Sequence, residues 1–167
     1  ALELALQHPD PAVVYLARPC QYIQTTEYKH CTKKDWTSGR FSVTAVEASS
    51  RAIDALMLRF QSSQLILVGY SGGGAVATLI AAKRTDVIQL VTVAGNLNHV
   101  AWTKQHGISS LSHSLNPSDY WQKLLSIKQL HFVGAKDSIV DKSIAESFQA
   151  RFPVNHQPEI KVIEDFT

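Results

Sequence analysis

The stretch Gly69-Tyr70-Ser71-Gly72-Gly73 limits the fold of this chain more than any other, because it sets a serine among small residues between two apolar segments. Residues 65–68, before it, have the pattern of a buried strand, and residues 74–82, after it, have the pattern of a helix. A strand that turns directly into a helix strains the backbone and brings neighbouring backbone segments close together. Such a turn therefore requires small residues. The pattern therefore predicts a sharp turn that presents Ser71 Oγ at the carboxyl end of the strand.

A serine presented in this way is typical of nucleophilic catalysis. The hydroxyl needs a base that takes its proton and a carboxylate that orients the base. The backbone N–H of Gly72 is predicted to face the oxyanion that forms when Ser71 attacks a carbonyl carbon. The alternative is a chance occurrence of the five-residue pattern, and the predicted strand and helix on either side argue against it.

Strand-like and helix-like segments alternate along the rest of the chain. The predicted strands are residues 12–17, 65–68, 87–94, 130–134 and 160–163, and the predicted helices are residues 44–60, 72–83 and 141–152. This alternation predicts an α/β fold, with a mostly parallel sheet and helices on both faces, in a single domain over residues 1–167. Residues 96–126 depart from the alternation, and we expect them to cross the carboxyl edge of the sheet as a cap or lid.

Asp137 is the strongest candidate for the orienting carboxylate. It follows the predicted strand 130–134, which places it at the same sheet edge as Ser71, and it comes after the serine in the chain. The alternative is that Asp137 caps a turn or the helix that follows. Asp141 is better suited to cap that helix, because the predicted helix begins there.

These motifs make the chain resemble the α/β-hydrolase family over nearly its whole length. The match rests on the turn at residues 69–73, the Gly-x-x-Asp-x-x-Val segment at residues 134–140 and the order of the strands. Residues 18–22, 36–41 and 94–98 are similar to a bacterial subgroup of these hydrolases. The resemblance implies a Ser, Asp, His triad and a serine hydrolase that forms an acyl-enzyme from an ester or thioester, and less readily from an amide. It implies no cofactor.

The resemblance also implies two groups that the sequence does not supply. In the family the base histidine follows the last strand, where it would be due just beyond Thr167, and a second oxyanion donor follows an early strand that would precede Ala1. We therefore expect the chain to be part of a longer hydrolase, cut at both ends. The alternatives are a non-catalytic binding protein that keeps the hydrolase fold, and an interaction module that uses a free sheet edge.

Several residues near the predicted carboxyl edge are candidates for contacts with a substrate or with the lid. They are Tyr70, Asn96, His99 and Trp102. Some hydrolases carry their acid after the strand corresponding to residues 87–94, where this chain has only Asn96 and Asn98. An amide cannot take the place of a carboxylate beside an imidazolium, so Asp137 remains the preferred acid. Other lid residues suggest an apolar pocket or the packing core of the lid itself: Leu111, Leu115, Tyr120 and Trp121.

The histidines do not form a convincing metal site. His99, His106 and His113 recur every seven residues, but Gly107 and several serines interrupt a shared helix and no carboxylate or cysteine completes a ligand set. We therefore expect no metal. The remaining histidines are expected to be exposed or structural, with His131 in the core and His156 at the opposite sheet edge; the others are His8 and His30.

Composition restricts the classes of partner. With 167 residues, 45% of them hydrophobic and 18% charged, the chain suits one globular domain, and no apolar segment approaches the roughly 20 residues of a membrane-spanning helix. A net charge of +2 with scattered basic residues argues against nucleic acid, and we expect the pair Lys83-Arg84 to be solvated surface. The predicted partner is a small-molecule acyl substrate.

The two cysteines, Cys20 and Cys31, lie in predicted loops. An even count in loops favours a disulfide and a periplasmic or cell-envelope location. The alternative is a pair of reduced thiols in a cytosolic protein.

Overall fold

The computed structural model describes residues 2–9, 12–22 and 31–166. Four strands form one parallel sheet in the order β1-β2-β3-β4. The strands are β1 (Leu65–Tyr70), β2 (Val87–Val93), β3 (Lys128–Gly134) and β4 (Glu159–Ile163). The α-helices are α1 (Leu2–Gln7), α2 (Lys33–Trp36), α3 (Val43–Phe60), α4 (Gly72–Ala81), α5 (His99–Gln105) and α6 (Lys142–Gln149), with 3-10 helices at Pro117–Leu124 and Val154–His156. The predicted parallel α/β sheet is confirmed.

The register of the sheet brings the strand ends together. Tyr70 pairs with Val93, and Val93 pairs with Phe132, so β1, β2 and β3 end at one edge. The loops that follow these strands carry Ser71, Asn96 and Asp137. In open parallel sheets this carboxyl edge is where ligands bind.

The two helices that contact the sheet, α4 and α6, lie on one of its faces. Crossovers between parallel strands are almost always right-handed, so strands added in sequential order place their connecting helices on the same side. Leu67 and Leu90 point to this side and share a buried core with Phe148 of α6. On the opposite face Ile66 and Val68 are about half exposed, at 53% and 54%. The sequence predicted helices on both faces of the sheet. Among the described residues, the helices that contact the sheet lie on one face.

Helix α3 has clear sequence determinants. Ser42 caps its first turn, because its Oγ accepts a hydrogen bond from the backbone N–H of Ala45 at 3.2 Å. Val46 and Ile53 are buried two helical turns apart, on one face of the helix, and hold α3 against α4. The helix ends where Gln61 takes a left-handed conformation.

Arg84 corrects the expectation of a solvated basic pair. Its side chain is only 11% exposed, whereas that of Lys83 is 34% exposed. The guanidinium donates to both carboxylate oxygens of Asp86, at 2.8 and 2.5 Å, and reaches Asp54 and Ser50 of α3. The planar fork of donors suits this role, and it joins α3 to the turn before β2.

Residues 12–17, predicted as a strand, are not part of the sheet. Among the described residues the sheet consists of β1 to β4 alone, and residues 12–17 form no backbone ladder with any of these strands. Val14, Tyr15 and Leu16 are correspondingly exposed. The apolar pattern was typical of a strand, but a strand needs a paired neighbour to form.

Cys20 and Cys31 form a disulfide, with 5.8 Å between their Cα atoms. The predicted disulfide is confirmed. The carbonyl of Cys20 accepts a hydrogen bond from Trp36 Nε1 at 2.8 Å, and Arg18 donates to the carbonyl of Arg40 at 3.2 Å. These contacts fix the segment before the disulfide to α2 and to the residues that lead into α3.

In the part of the chain that the structure describes, none of the helices has the length and apolar character needed to span a bilayer.

Candidate active site

The turn between β1 and α4 is strained at the serine. Ser71 has φ 50° and ψ −121°, a backbone conformation that residues with a Cβ rarely adopt. Three backbone hydrogen bonds hold it there: the Ser71 N–H donates to Val93, and its carbonyl accepts from Gly74 and Asn96, at 2.9, 3.0 and 3.1 Å. The strain is therefore balanced by contacts with β2, the first turn of α4 and the loop after β2.

Two glycines allow the close approach that this turn requires. A Cβ atom on Gly69 would lie 2.5 Å from the carbonyl oxygen of Gly73 and 2.6 Å from the Cα of Gly74. A Cβ atom on Gly74 would lie 2.8 Å from the Cα of Gly95. The small residues of the predicted pattern are thus needed for packing between β1, α4 and the loop after β2.

Helix α4 begins at Gly72, so the N–H of this residue is among the first four of the helix, which have no acceptor within it. The positive end of the helix dipole lies at the same place. The N–H of Gly74 is already used by the Ser71 carbonyl. A negative charge beside Ser71 would therefore meet a favourable field and a backbone donor at Gly72.

Asp137 lies in the loop after β3, and its side chain is buried. Its Oδ1 accepts the backbone N–H groups of Ile139 and Val140 at 2.8 and 2.9 Å. The carboxylate thus orders its own loop, as the alternative interpretation expected, and the described residues place both of these bonds on one oxygen. Asp141 caps α6 as predicted, because its Oδ1 accepts from Ser143 N–H at 2.9 Å.

Helix α5 is tied to the Asp137 loop by two side chains. Trp102 Nε1 donates to the carbonyl of Ile139 at 2.6 Å, and His106 Nε2 lies 2.9 Å from the same oxygen. A carbonyl oxygen can only accept, so Nε2 of His106 carries the proton. The sequence predicted Trp102 as a substrate or lid contact and missed the role of His106. Its only sequence signal was the spacing of four residues from Trp102 on one helix.

Asn96 and His99 are buried with unpartnered polar atoms in the described part of the chain. These atoms are Asn96 Oδ1 and both ring nitrogens of His99. Burial lowers the pKa of His99, and the nearby backbone of Ser114 and Leu115 opposes that shift. The backbone N–H of His99 donates to Asn116 Oδ1 at 3.0 Å. This bond joins the start of α5 to the residue before the 3-10 helix Pro117–Leu124.

A cavity of about 520 Å³ lies beside His99, lined among others by Leu111, Leu115 and Tyr120 of the predicted lid. Ser71 and Asp137 do not line it. Phe41 connects the two regions, because its ring lies 6.2 Å from that of His99 and would lie 3.4 Å from a Cβ on Gly72. Trp121 packs instead on Phe152, with 6.0 Å between the ring centroids.

A sequence model of the FSH1 serine hydrolases matches residues 17–162, which include the turn at Ser71 and the loop of Asp137. This chain belongs to the FSH1 serine hydrolase family. None of the curated proteins matches it by sequence.

Solved structures similar to this FSH1-family chain include an α/β hydrolase, an esterase and a lipase. An α/β hydrolase from a lagoon-sediment metagenome has a TM-score of 0.53 at 19% identity, over 72% of this chain and 60% of its own. An esterase from Pyrococcus furiosus has a TM-score of 0.59 at 13% identity, over 73% and 53%. A monoacylglycerol lipase from Paleococcus ferrophilus has a TM-score of 0.53 at 15% identity, over 72% and 65%. These likenesses show a shared fold, and the chain spans less than two thirds of each neighbour.

The other histidines of this FSH1-family chain have structural or exposed positions. His131 is fully buried, with Nδ1 2.8 Å from Thr92 Oγ1 and its ring against Phe148, as expected for a core residue. His113 Nδ1 lies 3.1 Å from Ser38 Oγ. His8 and His156 are exposed, and His30 lies outside the described residues. Over residues 2–9, 12–22 and 31–166, no group of three His, Cys, Asp or Glu side chains could hold a metal ion.

The segment after β4 returns to the loop of Asp137. Phe166 packs on a small buried cluster that includes Ala94, Val140 and Ile144. A Cβ on Gly134 would overlap the carbonyl oxygen of Phe166, so the backbone of this segment lies directly on the end of β3.

Proposed function

We propose that this protein is a serine hydrolase that cleaves an ester or thioester of a small molecule through an acyl-enzyme on Ser71. The observation that carries the proposal is the left-handed backbone of Ser71, held by Val93, Gly74 and Asn96 within a glycine-lined turn. A conformation with this cost persists where surrounding contacts enforce it, and such positions concentrate in active sites. Membership of a serine hydrolase family agrees with this assignment.

In the proposed reaction Ser71 Oγ attacks the acyl carbon while its proton passes to an imidazole base. The carbonyl oxygen becomes an oxyanion beside the Gly72 N–H, where the amino end of α4 stabilises the negative charge. The tetrahedral intermediate then breaks its bond to the alcohol or thiol, which leaves with the proton from the imidazole. Water, activated by the same base, hydrolyses the acyl-enzyme and restores the serine.

Asp137 is the proposed acid of this triad. Its Oδ1 is engaged by the N–H groups of Ile139 and Val140, so Oδ2 is the oxygen assigned to the imidazole. We assign the base to a histidine after Thr167, as the family resemblance implies. Phe166 supports this placement, because it packs beside Val140, next to the loop of Asp137.

Residues 96–126 are the proposed lid, and the proposed contacts with the substrate or the lid are Tyr70, which precedes it in the chain, and Asn96 and His99, which belong to it. Tyr70 is half exposed at the end of β1, directly before Ser71. Tyr70 belongs to the carboxyl edge of the sheet, and α5, which begins at His99, follows β2 beyond the same edge. The disulfide of Cys20 and Cys31 supports an oxidising compartment such as the bacterial periplasm as the place where the protein acts.

The proposal is tested by the turnover of p-nitrophenyl butyrate, a matched thioester and a matched anilide with the complete natural protein that contains this chain. We expect ester and thioester cleavage to fall on the order of 10⁵-fold or more for Ser71→Ala, and about 10³- to 10⁴-fold for Asp137→Asn. Ser62→Ala is the matched control, since Ser62 lies at the opposite edge, where its Oγ donates to Gln64. Turnover that survives Ser71→Ala, or absence of turnover in the natural protein, would contradict the proposal and favour the binding-protein alternative.

A further inference from the structure

The carbonyl of Ile139 and the N–H of Val140 belong to one peptide group, and that group is bonded at both ends. Its oxygen accepts from Trp102 Nε1 at 2.6 Å and from His106 Nε2 at 2.9 Å. Its nitrogen donates to Asp137 Oδ1 at 2.9 Å. A peptide group is rigid and planar, so the two side chains of α5 set the direction in which this N–H meets the carboxylate.

The two α5 side chains form a matched pair. Trp102 lies in α5, and His106, four positions later, is the residue at which α5 ends; their ring centroids lie 5.2 Å apart. Both are donors in this arrangement, and a carbonyl oxygen has two lone pairs with which to accept them. Bonds to the oxygen polarise the peptide and strengthen its N–H as a donor to the carboxylate.

Packing alone does not fix this loop. The side chain of Ile139 is 64% exposed, so it adds little burial, and the loop gains its apolar contact from Val140 in the cluster with Ala94 and Ile144. Trp102 also packs against that cluster. The two hydrogen bonds from Trp102 and His106 therefore add to the packing of Val140 in fixing the orientation of the Ile139–Val140 peptide.

We infer that Trp102 and His106 are positioning residues for Asp137: together they orient the Ile139–Val140 peptide, which in turn holds Asp137 Oδ1 and directs the other carboxylate oxygen toward the catalytic imidazole. This inference rests on the proposed function. It makes α5, at the start of the proposed lid, part of the apparatus that prepares the acid for catalysis.

The test is a double-mutant cycle on ester hydrolysis by the complete natural protein. We expect Trp102→Phe, which keeps the ring shape but removes the N–H donor, to lower kcat about tenfold with KM unchanged. In an Asp137→Asn background the same change should lower kcat less than twofold, because its effect passes through the acid. Trp36→Phe is the matched control, with less than twofold loss expected, since it removes the same indole donor from a backbone carbonyl, that of Cys20, outside the proposed lid.

His106 supplies a second and independent variant. His106→Phe should lower kcat as Trp102→Phe does, and His106→Gln, which restores an N–H donor, should recover most of the rate. Equal losses in the native and Asp137→Asn backgrounds would show a general structural effect and overturn the inference. A rise in KM with kcat unchanged would also overturn it, because that result would make Trp102 a substrate contact.

Hydrogen exchange of the Val140 amide, followed by NMR, separates this inference from the proposed function. We expect Trp102→Phe and His106→Phe to accelerate its exchange at least tenfold, and Trp36→Phe to leave it unchanged. Unchanged exchange in the first two variants would overturn the inference even in an active hydrolase. If turnover does not depend on Ser71 but exchange of the Val140 amide is accelerated in these variants, the proposed function is contradicted. Trp102 and His106 then stabilise the loop without a role in catalysis.

Discussion

At the scale of single residues, the turn at Ser71 depends on which glycines face a neighbouring backbone. Gly69 and Gly73 belong to the same motif but differ in their surroundings. A Cβ on Gly69 would lie 2.5 Å from the Gly73 carbonyl oxygen, whereas a Cβ on Gly73 would have nothing within 4 Å.

We predict that Gly69→Ala lowers the free energy of unfolding by about 2–3 kcal/mol or more, because backbone atoms cannot move aside as a flexible side chain can. Gly73→Ala is the control, and it should leave stability unchanged or raise it by up to about 1 kcal/mol, since alanine is favoured over glycine within a helix. Urea unfolding of the two variants measures both values. Equal losses would show that the close approach at Gly69 does not limit the fold.

His131 gives a pH dependence to stability. Burial lowers the pKa of His131 to about 4, against an ordinary value near 6.5. As the pH falls from about 6.5 to 4, the unfolded chain takes up a proton that the folded chain does not, so the folded state loses stability. The full loss from this residue is about 3 kcal/mol.

The prediction concerns how steeply the free energy of unfolding changes with pH. This slope does not depend on the absolute stability of a variant. His131→Gln keeps a polar partner for Thr92 but does not titrate, so its unfolding free energy should fall less steeply between pH 6.5 and 4 than that of the natural protein. Urea unfolding at pH 7, 5.5 and 4.5 compares the two slopes. Parallel slopes would mean that His131 is not the group responsible.

The residue patterns that predicted positions correctly were local ones. The glycine spacing around Ser71 and the cap at Asp141 follow from contacts within a few residues of the chain. The role of His106 could not be recognised, because it contacts the backbone carbonyl of Ile139, which is distant in sequence. Every residue has such a carbonyl, so the amino-acid type at position 139 does not indicate the contact. Arg84 was misread for the same reason, since its bonds to Asp54 and Ser50 depend on the packing of α3.

At the scale of secondary-structure elements, Arg84 anchors α3 to the turn before β2. The hydrogen bonds of Asp86 and Asp54 raise the pKa of Arg84, so it is charged at every accessible pH. In turn the Arg84 guanidinium lowers the pKa of Asp86. Arg84 thus makes two salt bridges, one with Asp54 and one with Asp86, and the contact with Asp86 is bidentate.

We predict that Arg84→Met lowers the free energy of unfolding by about 1–3 kcal/mol, because it leaves Asp86 without its partner. Lys83→Met is the neighbouring control. The ion pair of Lys83 with Glu47, at 3.5 Å, is partly exposed to solvent, and its loss should change stability by less than about 1 kcal/mol. Thermal or urea unfolding of both variants tests the difference, and a loss for Lys83→Met as large as that for Arg84→Met would contradict it.

Elements with strong periodicity were predicted to within a few residues. Helix α3 and strands β1 to β4 lie close to where the apolar patterns placed them. Side chains of α3 and of β1 to β3 belong to the buried core, and β4 packs against it through Ile160. Residues 12–17 failed as a strand because strand formation needs a paired neighbour, which the pattern of one segment cannot reveal. The lid assignment of residues 96–126 stays a prediction.

At the scale of the whole molecule, one face of the sheet is packed and the other is open in the described residues. The packed face follows from the sequential order of the parallel strands, and it holds α4 and α6. The open face includes Ile66, Val68 and Tyr70, which are about half exposed. Because the chain spans 60% and 53% of the lagoon hydrolase and the Pyrococcus esterase, the activity of the complete protein is a proposal and needs a direct test.

The most direct test of the central claim is labelling of the complete natural protein with a fluorophosphonate probe, followed by peptide mass spectrometry. Such a probe reacts with a serine that is activated as a nucleophile, and unactivated serines of the same chain serve as internal controls. Heat-denatured protein and Ser71→Ala control for nonspecific labelling. We predict one phosphonate adduct, on the peptide that contains Ser71, lost in both controls; no adduct, or an adduct on another serine, would contradict the account.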